Sequence, residues 1–290
     1  MKTFYKIVPS SGISHPNDEP FFTNAKNIFK FLHWGDNLHI IKISQKEIIP
    51  NIDGDKWSSS KKISLTNESF PLSDSSTFQL LINAGADVTI DNNSAIKFAC
   101  KNGYLPIVQL LISAGADFFD CAPYAVTHCY LDIVEYLIQL GIDLSDHQLI
   151  ILAAKCGKLP VIELLVKYGA NPFALNNEPL IMATEYGHLS SVEYFIEKGA
   201  KISIRNNFLI RSAVDSGYID LVKYLLKKGA DIKSDSVPIK LASDNGNLPM
   251  LQLLISNGAN PFISKGFALK AAKRNNHIEM IEYLSQIKKN

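Results

Sequence analysis

The residues best suited to chemistry lie before position 72: His15, His33, His39, Glu47, Asp53 and Asp55, with Trp34 and Trp57 as stacking surfaces. Their spacing makes no nucleophile–base pair, no carboxylate pair of defined separation, no zinc set and no glycine-rich phosphate loop. Asp53-Gly54-Asp55 gathers acceptors in a turn but lacks the later glutamate that completes a calcium loop, so an exposed turn is expected. His33 and Trp34 close a short helix, where capping and packing are their expected roles. Four cysteines, Cys100, Cys121, Cys129 and Cys156, form no CxxC pair and have no histidine at ligand spacing, which points to buried free thiols. The expectation is therefore no catalytic residue, no metal and no cofactor.

The elements that would position any functional side chain are written in a recurring fifteen-residue sentence. GKLPVIELLVKYGAN from Gly157 returns as GYLPIVQLLISAGAD from Gly103, GHLSSVEYFIEKGAK from Gly187, GYIDLVKYLLKKGAD from Gly217 and GNLPMLQLLISNGAN from Gly246. Copies from Cys129 and Asn276 lack the first glycine, and a half-copy runs from Ser73 to Asp87. Fixed-period similarity of this kind means stacked supersecondary units, each contacting its neighbours.

Within the copy at Gly157, Val161, Ile162, Leu164, Leu165 and Val166 share one face at helical spacing, which predicts a short amphipathic helix. Pro106, Pro160 and Pro249 fall in its first turn, where the missing amide costs nothing. The second glycine, at 85, 115, 141, 169, 199, 229 and 258, suits a left-handed exit. Four residues before the first glycine register stands a small residue, Ala99, Ala125, Ala153, Ala183, Ala213, Ala242 or Ala272, which lets two helices approach closely. Each unit is thus predicted to be a helix pair.

Here the chain resembles the ankyrin repeat family, whose unit carries an Ala-Ala pair, a G-H turn and a G-A-D/N end. The family's T-P-L-H start is nowhere intact; Glu178-Pro179-Leu180 and Val237-Pro238-Ile239 are its nearest remnants. The connector after each second glycine is short, so the family's protruding hairpins should be trimmed to tight loops turned by Asn92-Asn93, Asn176-Asn177 and Asn206-Asn207. That trimming, and an Ile-, Lys- and Asn-rich composition, resemble ankyrin proteins of giant DNA viruses of amoebae. The resemblance implies binding of other proteins through loop tips and the concave face, without catalysis.

In that family the two residues before the first glycine register usually vary with the target. Here they form a column: Lys101 and Asn102, Thr127 and His128, Lys155 and Cys156, Glu185 and Tyr186, Asp215 and Ser216, Asp244 and Asn245, Arg274 and Asn275. The column changes sign in blocks, and Glu185, Asp215 and Asp244 should form an uninterrupted acidic row facing a basic patch on a partner. Ile151 and Ile181 are expected to add an apolar patch beside it. His188 and His277 stand at the G-H register, where the imidazole braces neighbouring loops. Tyr136, Tyr194, Tyr224 and Tyr283 share one register of the second helix and should face the neighbouring unit.

Residues 1–72 do not follow the repeat. Phe4 to Val8 and Leu38 to Ile43 read as strands and Lys61 to Leu65 as a weaker one, with a helix through Ala25, Ile28, Phe29 and Leu32, capped by Thr23 or Asn24 and stopped by Gly35. The predicted architecture is mainly α: a small α+β module over 1–72, then an ankyrin-type α-solenoid over 73–290 with about seven helix pairs and an N-terminal half-unit. The open face of the half-unit at Phe78, Leu81 and Ile82 should be covered by the module, since terminal repeats need a polar or covered face.

At 290 residues, 47% hydrophobic and net charge +1, the chain offers no global charge for nucleic acid or anionic membrane. No apolar run reaches the ~18 residues needed to cross a bilayer, and the start is too short for a signal peptide. A monomeric, cytoplasmic or nuclear scaffold or adaptor is expected, within a host cell if viral and directed at host proteins. Two rivals remain. One is an enzyme with its site in residues 1–72 and the solenoid as substrate-recruiting arm; the other is an adaptor to ubiquitin ligases.

Overall fold

Each copy of the two-glycine sentence folds as one short α-helix, because its apolar residues recur every three to four positions and its glycines let the chain turn at both ends. These second helices are α3 (Leu105–Ser113), α5 (Leu131–Gln139), α7 (Leu159–Lys167), α9 (Leu189–Glu197), α11 (Ile219–Lys227), α13 (Leu248–Ser256) and α15 (Ile278–Ile287), with α1 (Ser75–Asn83) from the half-copy. Before them come the first helices α2 (Ile90–Asn102), α4 (Ala122–His128), α6 (Gln148–Lys155), α8 (Ala174–Glu185), α10 (Ile204–Asp215), α12 (Val237–Asp244) and α14 (Ile263–Arg274). The computed structural model describes residues 2–8, 22–43, 48–50, 57–59 and 68–287. It divides into two compact units, Met1–Ile142 and Asp143–Asn290.

Close approach of the helices is set by the alanine register. Ala99, Ala125, Ala153, Ala183, Ala213, Ala242 and Ala272 are each wholly buried. So are the leading apolar residues of the second helices, among them Ile107, Ile133, Val161 and Leu165. Burying a side chain of that size is worth roughly 1.5–3 kcal/mol, so the array is held by a repeated apolar seam.

The second glycines take positive φ as their position demands; Gly169 stands at φ 99 with nothing close to where a Cβ would be, so only the backbone requires glycine there. The aspartate or asparagine that ends the sentence has its own job. Its Oδ1 accepts the amide two residues on: Asp117 from Phe119, Asn171 from Phe173 and Asn260 from Phe262, each at 2.9–3.0 Å. The connectors are the tight loops expected. Asp91, Asn92 and Asn93 are all left-handed, as are Leu175, Asn176 and Asn177, and Asn207 at φ 63. Asparagine tolerates that region because its short side chain bonds locally. Asn93 Oδ1 accepts Asp117 N at 3.0 Å and the Asn207 amide reaches Asp231 O at 3.3 Å, tying each turn to the exit of its own helix pair.

In the first unit, β1 (Lys2–Val8) pairs antiparallel with β2 (Asn37–Ile43), which pairs with the short β5 (Phe70–Pro71); β3 (Ile48–Pro50) and β4 (Trp57–Ser59) make a separate ribbon. The segment expected as an α-helix is instead a 3₁₀ helix, Ile28–Trp34, with Ile28, Phe29, Phe31 and Leu32 buried. A 3₁₀ run of that length is uncommon. Burial on both sides holds it, against β1 and against α2. Neither expected residue caps it: the N-cap is Asn27, with no side-chain cap hydrogen bond, while Asn24 Oδ1 accepts Asn27 N at 3.0 Å across the turn before the helix and Thr23 bridges to Tyr5. Phe29 stacks on Phe78 with centroids 5.4 Å apart, so the face of α1 that the sequence left open is covered. The strand expected over Lys61 to Leu65, the Asp53-Gly54-Asp55 turn, His15 and Glu47 lie outside the described residues.

Candidate protein-interaction surface

The column residues sit where the first helices end. In the first unit Lys101, Asn102 and His128 are exposed and Thr127 is half-buried. In the second, Lys155, Tyr186, Asp215, Ser216, Asn245 and Arg274 are exposed, while Glu185 and Asp244 are half-buried. Glu185, Asp215 and Asp244 are the last residues of α8, α10 and α12. A carboxylate there faces the negative pole of the helix dipole, an arrangement that costs a few tenths of a kcal/mol or more per site. Lys101 and Lys155, by contrast, have the favourable sign for the last turn of α2 and α6.

Two of the three carboxylates are engaged by the following unit. Arg274 Nη2 lies 2.6 Å from Asp244 Oδ1, and Asn245 Nδ2 donates to Asp215 Oδ1 at 3.1 Å. The acidic row is therefore not the uninterrupted stretch expected: the cation at its end folds back onto it, because Arg274 and Asp244 occupy the same register one unit apart. Glu185 makes no such ion pair among the described residues. Beside it Tyr186 has 47% of its surface exposed, with Lys155 Nζ 5.3 Å from the ring centroid. The expected apolar patch does not form either. Ile181 is buried, since α8 is flanked by both α6 and α10, and Ile151 is half-buried. At the same position of α10, Arg211 reaches the nearly buried Asp235 of the next unit at 2.6 Å.

Beneath the column runs a set of braces that sequence reading recognised only at the histidines. His188 Nε2 meets Lys155 O at 2.9 Å and His277 Nε2 meets Asp244 O at 3.1 Å. Asn245 and Asn275 do the same with their amides, donating to Asp215 O and Asp244 O at 2.9 Å, and Tyr218 OH reaches Glu185 O at 3.5 Å. Open carbonyls at helix ends are thus satisfied by side chains one unit on. A ring at the position after the first glycine was the available signal: Tyr130, His188, Tyr218 and His277 all stand there. The same rings explain the first glycines, because a Cβ on Gly103 would lie 2.6 Å from Tyr130 and one on Gly246 2.6 Å from His277.

The tyrosines of the second helix, Tyr136, Tyr194, Tyr224 and Tyr283, are each half-buried, as edge residues would be. Burial pushes the Tyr194 and Tyr224 phenols up, and carboxylates of the preceding unit, Glu163 for the former and Glu193 with Glu197 for the latter, add to it. Among the cysteines only Cys100 and Cys121 are buried, and Cys129 and Cys156 are half-buried. A hydrogen bond with the Cys121 thiol, then burial, pushes the Cys100 thiol far up, which makes it a poor nucleophile. Cys129 departs from expectation for a definite reason: it occupies the first-glycine register at φ 65. In the N-terminal part, His33 is exposed with its ring edge-on to Trp34, and Trp34 rests on Phe31 at 4.6 Å. Among the described residues no helix is long and apolar enough to cross a membrane.

Paired short helices, left-handed glycine exits, buried alanine registers and side chains reaching from unit to unit define an α-solenoid of repeats. The ankyrin repeats family model matches residues 72–148, 124–206 and 150–236, more than half of the chain, and the chain belongs to that family. Two proteins of Acanthamoeba polyphaga mimivirus described as ankyrin repeat proteins are similar to it, one 35% identical over 105 residues and the other 33% over 97. The matches span 33% and 31% of this chain and only 30% and 31% of those relatives' lengths. The crystal structure of the human ASB11 ankyrin repeat domain superposes with a TM-score of 0.53 at 20% identity, covering 61% of this chain and 90% of that one, a likeness of fold. Ankyrin repeats are in general protein–protein interaction modules.

Proposed function

We propose that this chain is a non-catalytic scaffold or adaptor that holds a protein partner against the column of the second unit, with Glu185, Tyr186 and Asp215 at the centre of contact. The viral source of its relatives suits a role directed at host proteins. On this reading the chain acts as a monomer in the cytoplasm or nucleus of the host cell. The observation that carries the reading is the placement of carboxylates at the C-terminal ends of three successive first helices. Each costs stability through the helix dipole, and Glu185 has no ion-pair partner among the described residues to offset it. A basic segment on the partner, set against Glu185 and the exposed Tyr186 ring, would recover that cost on binding; aromatic residues of this kind are enriched among interface anchors.

The test starts with a photo-crosslinking residue at position 186 in the full chain, to capture and identify the partner. Affinity is then compared for the native chain and the Glu185→Lys, Asp215→Lys variant across a range of salt. Weaker binding with a flatter salt dependence is expected, since charges at an interface act on association and screening. An unchanged affinity and salt slope in the folded variant would remove this surface from the contact.

A further inference from the structure

The half-copy before Asp87 contains a second helix, α1, and among the described residues it is the short strand β5, not an α-helix, that stands directly ahead of it in sequence. The 3₁₀ helix Ile28–Trp34 occupies the vacant position. Phe29 stacks on Phe78 of α1, the Ser94 hydroxyl of α2 donates to Phe29 O at 2.9 Å, and the 3₁₀ helix packs along α2 as α2 packs along α4. Details at the ends agree with the other repeats. Asp87 N, just past the exit of α1, donates to Lys26 O at 3.3 Å, two residues ahead of the 3₁₀ helix. Asp117 N, just past the exit of α3, likewise bonds to Asn93, in the turn that opens α2.

With Gly35 set against Gly103, Ile28, Phe31 and Leu32 fall on the positions of Ile96, Ala99 and Cys100, all six buried, and His33 falls on Lys101, both exposed. Gly35 itself differs, with extended backbone at φ 173, because the chain leaves here into β2 instead of turning directly into a second helix. It returns where Leu72 N donates to Asp36 O at 2.8 Å, and β2 and β5 pair at the base of the excursion.

We propose that the 3₁₀ helix is the first helix of the first repeat, with residues 37–71 inserted in its helix–helix turn, and that His33 and Trp34 begin the interaction column, which in this unit takes an acidic segment of a protein partner. The proposal rests on the reading of the column as a partner surface. Its first three steps are His33 with Trp34, Lys101 with Asn102, and Thr127 with His128, and they carry a lysine, two imidazoles, an indole and no carboxylate. The adjoining carboxylate, Asp36, accepts the Asn37 amide at 3.3 Å. His128 stacks parallel on Tyr130 at 5.9 Å, which extends the aromatic character of the strip. Such a strip complements carboxylates interspersed with aromatic or aliphatic side chains.

The full chain, isotope-labelled, is titrated with a short synthetic peptide of alternating glutamate and phenylalanine, and separately with its lysine–phenylalanine counterpart. The acidic peptide is expected to shift the amides of His33, Trp34, Lys101 and His128 and the Trp34 indole N–H. His33→Glu with Lys101→Glu, both at exposed positions, should weaken that binding about tenfold or more while leaving thermal unfolding unchanged. The proposal is overturned if the acidic peptide leaves His33 and Trp34 unmoved, if the lysine peptide gives the same shifts, or if the double variant binds as well as the native chain. No residue of the second unit is altered, so failure here leaves the reading of Glu185 and Asp215 to its own test.

Discussion

The imidazole of His188 lies across the backbone of Gly157, closer to where a Cβ would stand than any real Cβ contact allows, while its Nε2 holds Lys155 O at 2.9 Å. Glycine is needed twice over at this register, once for φ 65 and once for the ring. Gly157→Ala should therefore cost more than Gly169→Ala, where only the left-handed backbone is at stake at about 1–2 kcal/mol. In a double-mutant cycle, His188→Ala should recover part of the loss in the Gly157→Ala background and none in the Gly169→Ala background. Urea unfolding of the three single and two double variants checks this, and strict additivity at both sites would count against the ring contact.

Arg211 and Asp235 join consecutive units through a pair in which the carboxylate is nearly buried, with 5% of its side chain exposed against 28% for the arginine. Asp235 Oδ1 also accepts Val237 N at 2.9 Å. Asp235→Asn keeps that acceptor but strips the charge, and should destabilise the chain by about 1.5–3 kcal/mol, the range for hydrogen bonds to charged groups. Hydrogen exchange should rise first over residues 204–244 and much less before residue 143, because a repeat array opens locally. A uniform rise along the chain would contradict the placement of this pair.

Acid should loosen the turns that end the repeats. Hydrogen bonds from the Thr89, Ser145 and Ser234 hydroxyls hold the Asp87, Asp143 and Asp231 carboxyls below their ordinary value of 3.8. A carboxyl whose folded pKa lies below its unfolded value contributes stability that is fully present above the unfolded value and is lost as pH falls through the folded one. The loss thus belongs at and below pH 3.8. Asparagine at these three positions should keep the turn, as Asn171 and Asn260 do, while flattening the acid limb. Urea midpoints at pH 7 and in the acid window decide the matter; parallel losses in native and triply substituted chains would refute it.

Phe29→Ala should open a cavity against Phe78 and cost roughly 3–5 kcal/mol, as for large core aromatics. Exchange at α1 and α2 should rise with it, because the 3₁₀ helix is what covers them. Were the amides of 90–102 to stay protected, the cover would be dispensable to the repeats it lies on.

The repeat was legible because its determinants are local. Amphipathic spacing, glycine where φ is positive, alanine where helices touch and Asp or Asn where an amide two residues on needs an acceptor are all satisfied within one unit's length. Asn92-Asn93 and Asn176-Asn177 could likewise be assigned to turns from residue type alone, since left-handed φ at modest cost is a property of the residue. Tertiary structure decided whatever depends on a side chain some thirty residues away. Arg274 reads in sequence as a cation at the end of an acidic row, and only stacking brings it onto Asp244. Ile181 reads as an exposed neighbour of the column, yet flanking helices on both sides bury it. The run at Ile28–Trp34 reads as an ordinary helix; the structure makes it 3₁₀ and buries Phe29 against Phe78 of α1 and Ile28, Phe31 and Leu32 beside it, so what holds it is packing against partners some fifty residues away, which local sequence does not encode.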